Sequence, residues 1–495
     1  AIGYNGQMTY PWLSWVKAPL EIQIVGTHTV DSRSDFFNIN DNLSGTYRLS
    51  QNLDISTASA IDDAFITGVF TGELDGQGFT ISGLAINNAS QDRAGLFKQV
   101  SGATIENLVI DNFSVNAKDY SAGVIGEVIG GLNSITVLRD IETKNGVITG
   151  GATSGVGRIG GIIGFVNETS IIIENVINNF TVVDESDELN AGGIIGRIEA
   201  SHATLSAVTN NGDVTGWRAI GGIIGEHHST ITSMVDITNT GHVKSLKDSD
   251  RAEAGGIIGN AWSDGQIRMN DVHNEGTISG ERDYIGGLIG YVSYVNISIE
   301  IYNSSNLGLI QSLGDFNGRG GIFGGISPGT GSNNNTRVTM SAVVNHGHVS
   351  AAGATAVGGL IGDANYGRYT FTDVYNSGSV TGSSLVGGLF GEITSNTDSL
   401  TINRAFNIGS ISGNALIGSI DEDITLNNGV YYLDNTPIVL TTASAITING
   451  TATALSNASF ASINLFKDAG WDIEAFPSSS TWVLQDNEDE PRLFF

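Results

Sequence analysis

The chain has no cysteine, only six prolines and only four methionines in 495 residues. Without cysteine it can form neither a disulfide nor a thiolate metal centre. Basic residues are scarce: 22 Lys and Arg stand against 51 Asp and Glu, for a net charge of −29. That balance argues against a nucleic-acid backbone or an anionic membrane as partner. Only 15% of residues are charged at all, so the surface must be built largely from Asn, Ser, Thr and Gly. No apolar run approaches the roughly 18 residues that span a bilayer. Helical periodicity is almost missing, and so are the lysine of a phosphate loop and the paired histidines of an HExxH zinc site. The sequence opens Ala1-Ile2-Gly3 without a methionine or a basic leader, as expected of a mature exported chain whose signal peptide is gone. Its 67 glycines and low lysine content fit an extracellular, cell-surface protein of bacterial or archaeal type.

What is present is a repeat. A small-Gly-apolar-apolar-Gly signature appears as AGLF from Ala94 and AGVIG from Ala122. It continues as GGIIG from Gly160, Gly192, Gly221 and Gly255, and as GGLIG from Gly286. GGIFG from Gly320, GGLIG from Gly358, GGLFG from Gly387 and a worn ALIG ending at Gly418 complete the series. From Gly95 to Gly388 the second position advances in nine steps, a mean period of about 33 residues. A second signature, Asn-x-Gly-x-(Val/Ile), travels in phase with the first, at Asn210, Asn239, Asn274, Asn345, Asn376 and Asn407. Short alternating runs such as TFTDVYN from Thr370 lie between them and read as strands.

A unit of this size cannot bury its own apolar face, so neighbours must stack. The expected fold is all-β: a β-solenoid, right-handed and β-helix-like, of about ten to eleven coils with caps at both ends. In it the glycines, among them Gly161, Gly164, Gly193, Gly196, Gly222, Gly225, Gly256, Gly259, Gly287 and Gly290, allow positive φ or a close backbone approach where the chain turns. Successive side chains on a strand alternate. The Ile-Ile pair therefore needs cover on both faces or a bend at the last glycine. The recurrent Asn suits either a ladder of stacked amides or a series of independent Asx-turns.

These repeats resemble the GLUG-motif family of bacterial surface and secreted proteins. The leading segment LSGTYRLSQNLDIS from Leu43 and the closing stretch GWDIEAF from Gly470 resemble the flanks of such arrays. The resemblance implies export, a solenoid-like fold and no chemistry of its own. It covers roughly residues 35–493. No HExxH stands in these 495 residues, so the metallopeptidase domain that accompanies such repeats in some surface proteases is not among them. The organisation expected is an aromatic N-terminal segment (1–30), opening coils (31–93), the repeat solenoid (94–430) and a C-terminal cap region (431–495). Tyr4, Tyr10, Trp12 and Trp15 make the first segment too apolar to float free. It is expected to cap the first coil or to dock as an added strand on another copy, giving a head-to-tail filament.

Sites for chemistry are sparse. His227 and His228 are adjacent and should face opposite ways; His346 and His348 flank Gly347 and resemble surface positions. Acidic clusters begin at Asp184, Asp248, Asp421 and Asp486. The densest, with Asp486, Glu488, Asp489 and Glu490, is the best candidate for Ca²⁺, the one cofactor this chain suggests. A polysaccharide-active enzyme would need its acid and base on a groove, and Asp315 to Arg319, Arg368-Tyr369 and Arg282 to Tyr284 are the candidates. The leading expectation is a non-enzymatic structural or adhesive protein. A carbohydrate-active enzyme is the alternative, as is a glycan-binding adhesin using Tyr291, Tyr294 and Tyr366.

Overall fold

The structure is a computed structural model. It describes residues 26–433 apart from short loop segments (132–133, 152–156, 187–189, 247–251, 282–283, 313, 316–317, 328–334, 395–396, 422 and 428), together with short stretches near both ends. The coil beginning at Ile195 shows the plan. Ile195–Glu199 is followed by His202–Asn210, Val214–Gly216 and Ala219–Gly221, and a bend at Gly222 and Ile223 leads into the next coil. Each strand pairs in parallel with its counterpart one coil on: Ile195 with Ile224, Asn210 with Asn239, Val214 with Val243, Gly221 with Gly255. The strand after the glycine motif stacks into a thirteen-stranded parallel sheet from Ile66–Phe70 to Thr441–Thr442. At about 4.8 Å per strand this is a β-solenoid about 60 Å long, as the repeat predicted.

The core is a set of columns, one residue per coil. Ile195, Ile198, Leu205, Val208, Val214, Ile220 and Ile223 point inward and are fully buried, and their counterparts in neighbouring coils stack on them. Both members of the Ile-Ile pair are buried, as at Ile162 and Ile163. The bend that permits this lies at Gly161 and Ile162, before the second isoleucine, and not at the last glycine, one of the two alternatives the alternation left open. The last glycine is instead skipped by the ladder: Ile195 pairs with Ile224 and Arg197 with Glu226, while Gly196 and Gly225 between them form no pair and the register does not shift. Arg197 then points outward and Ile198 inward.

None of the motif glycines has positive φ among the described residues. What they lack is room. A Cβ on Gly193 would stand 2.1 Å from the Gly222 carbonyl oxygen and 2.4 Å from the Asn210 amide carbon. Gly222 meets Asn239, Gly256 meets Asn274 and Gly388 meets Asn407 in the same way. The two signatures stay in phase because the second glycine of each coil makes space for that coil's asparagine.

The asparagines form a ladder. Asn178, Asn210, Asn239, Asn274, Asn306, Asn345, Asn376 and Asn407 are fully buried. Each Nδ2 donates to the Oδ1 of the next, through seven bonds of 2.7–2.9 Å. The same nitrogen also donates to the carbonyl two residues on, as from Asn274 to Gly276. Thr143 Oγ1 starts the series by donating to Asn178 Oδ1 at 2.9 Å. Ladder and local turn are thus one device, and a buried amide is satisfied in both directions.

Three residues before each of these asparagines the long strand bends at a left-handed residue. Asn175, Ala207, Asp236, Asp271, Asn303, Ala342, Asp373 and Arg404 have φ of 47–62°. Asn and Asp tolerate this region better than other non-glycine residues. At the start of the solenoid a five-residue helix, Arg33–Phe37, capped by Ser32, leads into a 3₁₀ turn, Asn38–Asp41. Phe36 and Ile39 join the core, and Asn40 covers the free edge of Ile66–Phe70: its Oδ1 accepts from Thr67 N at 2.8 Å and its Nδ2 donates to Phe65 O. That blunts an edge that would otherwise template another strand.

Candidate functional site

The repeat residues singled out by sequence are scaffold. Gly161, Gly164, Gly193, Gly196, Gly222, Gly225, Gly256, Gly259, Gly287 and Gly290 are all crowded by neighbouring atoms. Asn210, Asn239, Asn274, Asn345, Asn376 and Asn407 are inside, in the ladder. Tyr10, Trp12, Trp15, Asp486, Glu488, Asp489 and Glu490 lie outside the described residues, as does the side chain of Tyr4; Ile2–Tyr4 pairs antiparallel with Gln7–Thr9. Of the three tyrosines considered for glycan contact, Tyr291 is buried and stacks on Tyr284 at 4.0 Å, whereas Tyr294 is exposed. Arg319 and Tyr369, weighed as enzyme candidates, are fully buried. His227 faces inward and His228 outward, and burial drives the His227 imidazole down to about 3, its Nε2 resting 2.8 Å from Thr232 Oγ1. Among the described residues no group of three or more His, Asp or Glu gathers where it could hold a metal ion.

The residues with chemistry left over lie on the outer face of the thirteen-stranded sheet. Two outward positions per strand, on either side of an inward one, form two columns along the axis. The first runs Glu127, Phe165, Arg197, Glu226, Asn260, Tyr291, Gly325, Asp363 and Glu392, each paired with the next. The second, two residues further on, runs Ile129, Asn167, Glu199, His228, Trp262, Ser293, Ser327, Asn365 and Thr394. Charge is distributed unevenly down this strip.

In its middle, Arg197 bridges Glu199 and Glu226, the latter at 3.1 Å, and Asn190 donates to Glu226 at 2.6 Å. His228 Nε2 stands 3.4 Å from Glu226, and Arg218 3.9 Å from it. Burial pushes the Glu226 carboxyl up, but His228, Arg197 and Arg218 outweigh it and hold it below its ordinary value. Next to this network the rings of His228 and Trp262 lie 5.3 Å apart, and those of Trp262 and Tyr294 6.5 Å apart. Trp262 is 38% exposed and Tyr294 41%.

Towards the C-terminal end the strip is acidic and unbalanced. Asp363 pairs in register with Glu392; one coil later Ser419 takes that position, and Asp421 lies two residues beyond it in the second column. Burial, then the Glu392 charge, push the Asp363 carboxyl up to about 7; burial and Asp421 raise Glu392. Oδ1 of both aspartates has no hydrogen-bond partner among the described residues.

A separate open groove of about 650 Å³ follows the left-handed corner in the first coils, lined by Gln77, Asn107, Asp140, Glu142 and Asn175 over Leu108 and Ile141. Further along, the outward position of that corner is filled by the protein's own Tyr375 and Phe406, stacked at 4.3 Å.

Sequence reasoning missed two ladder members and the whole left-handed column. Asn306 carries the full signature, NLGLI, and was legible. Asn178 was hidden because Phe180 replaces the glycine. The column has its own signal, Asn or Asp three residues before the ladder position, as in DVYN from Asp373 and NVIN from Asn175. Trp262 left no periodic trace, because it occurs once.

Comparison with known proteins gives partial matches. The family model for the M26 IgA1-specific metallo-endopeptidase N-terminal region matches residues 34–144. An immunoglobulin A1 protease of Streptococcus pneumoniae is 26% identical over 296 residues, 55% of this chain and 13% of that protein. Halomucin of Haloquadratum walsbyi is 28% identical over 471 residues, 74% of this chain and 5% of that protein. The crystal structure of a provisional immunoglobulin A1 protease from Bacteroides ovatus is 17% identical, with a TM-score of 0.37 over 58% of this chain and 77% of that one. The chain therefore spans about an eighth or less of the two curated relatives, and its similarity is to segments of much longer proteins.

Proposed function

We propose that this chain is a non-enzymatic, extracellular structural or adhesive module, a rigid rod of GLUG-type repeats at a cell surface. The observation that carries the reading is the consumption of the repeated polar residues by the fold. Seven asparagines in successive coils, Asn178 to Asn376, spend both amide hydrogens inside the wall, and Asn407 ends the series by accepting from Asn376, which stiffens the stack and keeps the repeated amides from any ligand. The similarity to segments of very long relatives supports a spacer role, and the strongly acidic surface suits exposure to solvent. The name of the pneumococcal relative raises a protease as the competing class, and no HExxH pair occurs in these 495 residues to supply one. Incubated with immunoglobulin A1 and, separately, with acidic polysaccharides, the chain should leave both intact. New protein fragments or new reducing ends, abolished by no inhibitor of a contaminant, would overturn the reading. The same proposal extends to self-association through residues 1–25: their deletion should shrink the scattering particle, and unchanged size would rule out that docking role.

A further inference from the structure

From Asn167 onward the second outward column of the thirteen-stranded sheet is made of Asn167, Glu199, His228, Ser293, Ser327, Asn365 and Thr394, with Trp262 as the departure; an apolar Ile129 begins the column. The fold asks only for a small or polar residue there. Trp262 is therefore not a packing requirement, yet it stands on the surface beside Tyr294, and two large rings exposed side by side have a cost in water. The patch is too small to hold a folded protein, which needs on the order of 800 Å² per partner. Its surroundings are polar and charge-balanced: the guanidiniums of Arg197 and Arg218 face the carboxylates of Glu199 and Glu226. Glu226 is fully buried and holds both Arg197 and His228, so the His228 ring beside Trp262 is held in place.

We propose that Trp262 and Tyr294 form a stacking platform for a neutral glycan, with His228, whose ring lies against Trp262, supplying a hydrogen bond along its edge. A sugar ring presents an apolar C–H face and a rim of hydroxyls. Flat amphipathic rings beside fixed donors and acceptors complement both. The local balance of charge gives no excess cation to select an anionic sugar. This inference rests on the adhesive form of the function proposed above and gives it a ligand class.

The test uses the full chain on a panel of neutral and anionic oligosaccharides, followed by titration calorimetry with the best neutral ligand. Neutral glycans should bind, with Trp262→Ala and Tyr294→Ala each weakening binding at least tenfold while the melting temperature holds. Trp262→Phe should recover part of the loss, and Val235→Ala, exposed on a different strand, should change nothing. The proposal is overturned if no neutral glycan binds, if only anionic glycans bind, or if Trp262→Ala binds like the parent. Failure here leaves the cleavage test untouched. Hydrolysis of a bound glycan would instead sink the non-enzymatic reading and keep the site.

Discussion

A single methyl group on Gly256 would sit 2.2 Å from the Gly287 carbonyl oxygen and 2.4 Å from the Asn274 amide carbon. Neither neighbour is a flexible side-chain end, so the coils must part to admit it. Gly256→Ala is expected to lower stability by about 3 kcal/mol in denaturant titration, at the top of the range for overpacking. Asn274→Ala attacks the same junction from the other side. It leaves Asn239 Nδ2, Asn306 Oδ1 and the Gly276 carbonyl without their partner, a loss of about 3 kcal/mol. The left-handed column predicts the opposite sign at one position. Ala207 has φ of 51°, a conformation that alanine adopts at a cost of roughly 1–2 kcal/mol and asparagine tolerates. Ala207→Asn should raise the free energy of unfolding by about 1 kcal/mol in denaturant titration, and a lower value would show that the strain is taken up elsewhere.

At the level of the coil, composition and period were enough to reach the solenoid. Gly-x-x-Gly and Asn-x-Gly repeat because every coil meets the same neighbours, so the constraint is written out again in each unit. Where a position faces outward, the stack imposes only size and polarity, and the sequence carries no periodic mark. That is why Asn210 was legible as a ladder member and Trp262 was not legible as a surface feature. The position of the bend was not legible for a related reason. Alternation alone cannot say whether Gly161 or Gly164 breaks the strand, since both are glycine and both are crowded by backbone; only the fold shows the bend at Gly161 and Ile162, with Gly164 inside the strand that follows.

Over the whole molecule the outer strip changes character, from the balanced network around Glu226 to the unbalanced carboxylates Asp363, Glu392 and Asp421. For Asp363 the folded value of about 7 lies above the unfolded value near 3.8. Its contribution to stability is therefore full below pH 4 and is lost as pH rises through 7. His227 acts oppositely: its value of about 3 lies below 6.5, so stability present above pH 6.5 is lost as pH falls towards 3. Asp363→Asn should stabilise the protein at pH 8 by about 2 kcal/mol, allowing for the partial exposure of the site, and by nothing at pH 4. The claim that joins all these scales is that one amide ladder runs through eight successive coils and locks them in register. Hydrogen exchange of the asparagine side-chain amides, followed by NMR on protein labelled with ¹⁵N at asparagine, tests it most directly. The account predicts that the Nδ2 hydrogens of Asn178, Asn210, Asn239, Asn274, Asn306, Asn345, Asn376 and Asn407 exchange as slowly as core backbone amides, and that Asn274→Ala speeds exchange at Asn239. Exchange of all eight at the rate of exposed amides would contradict it.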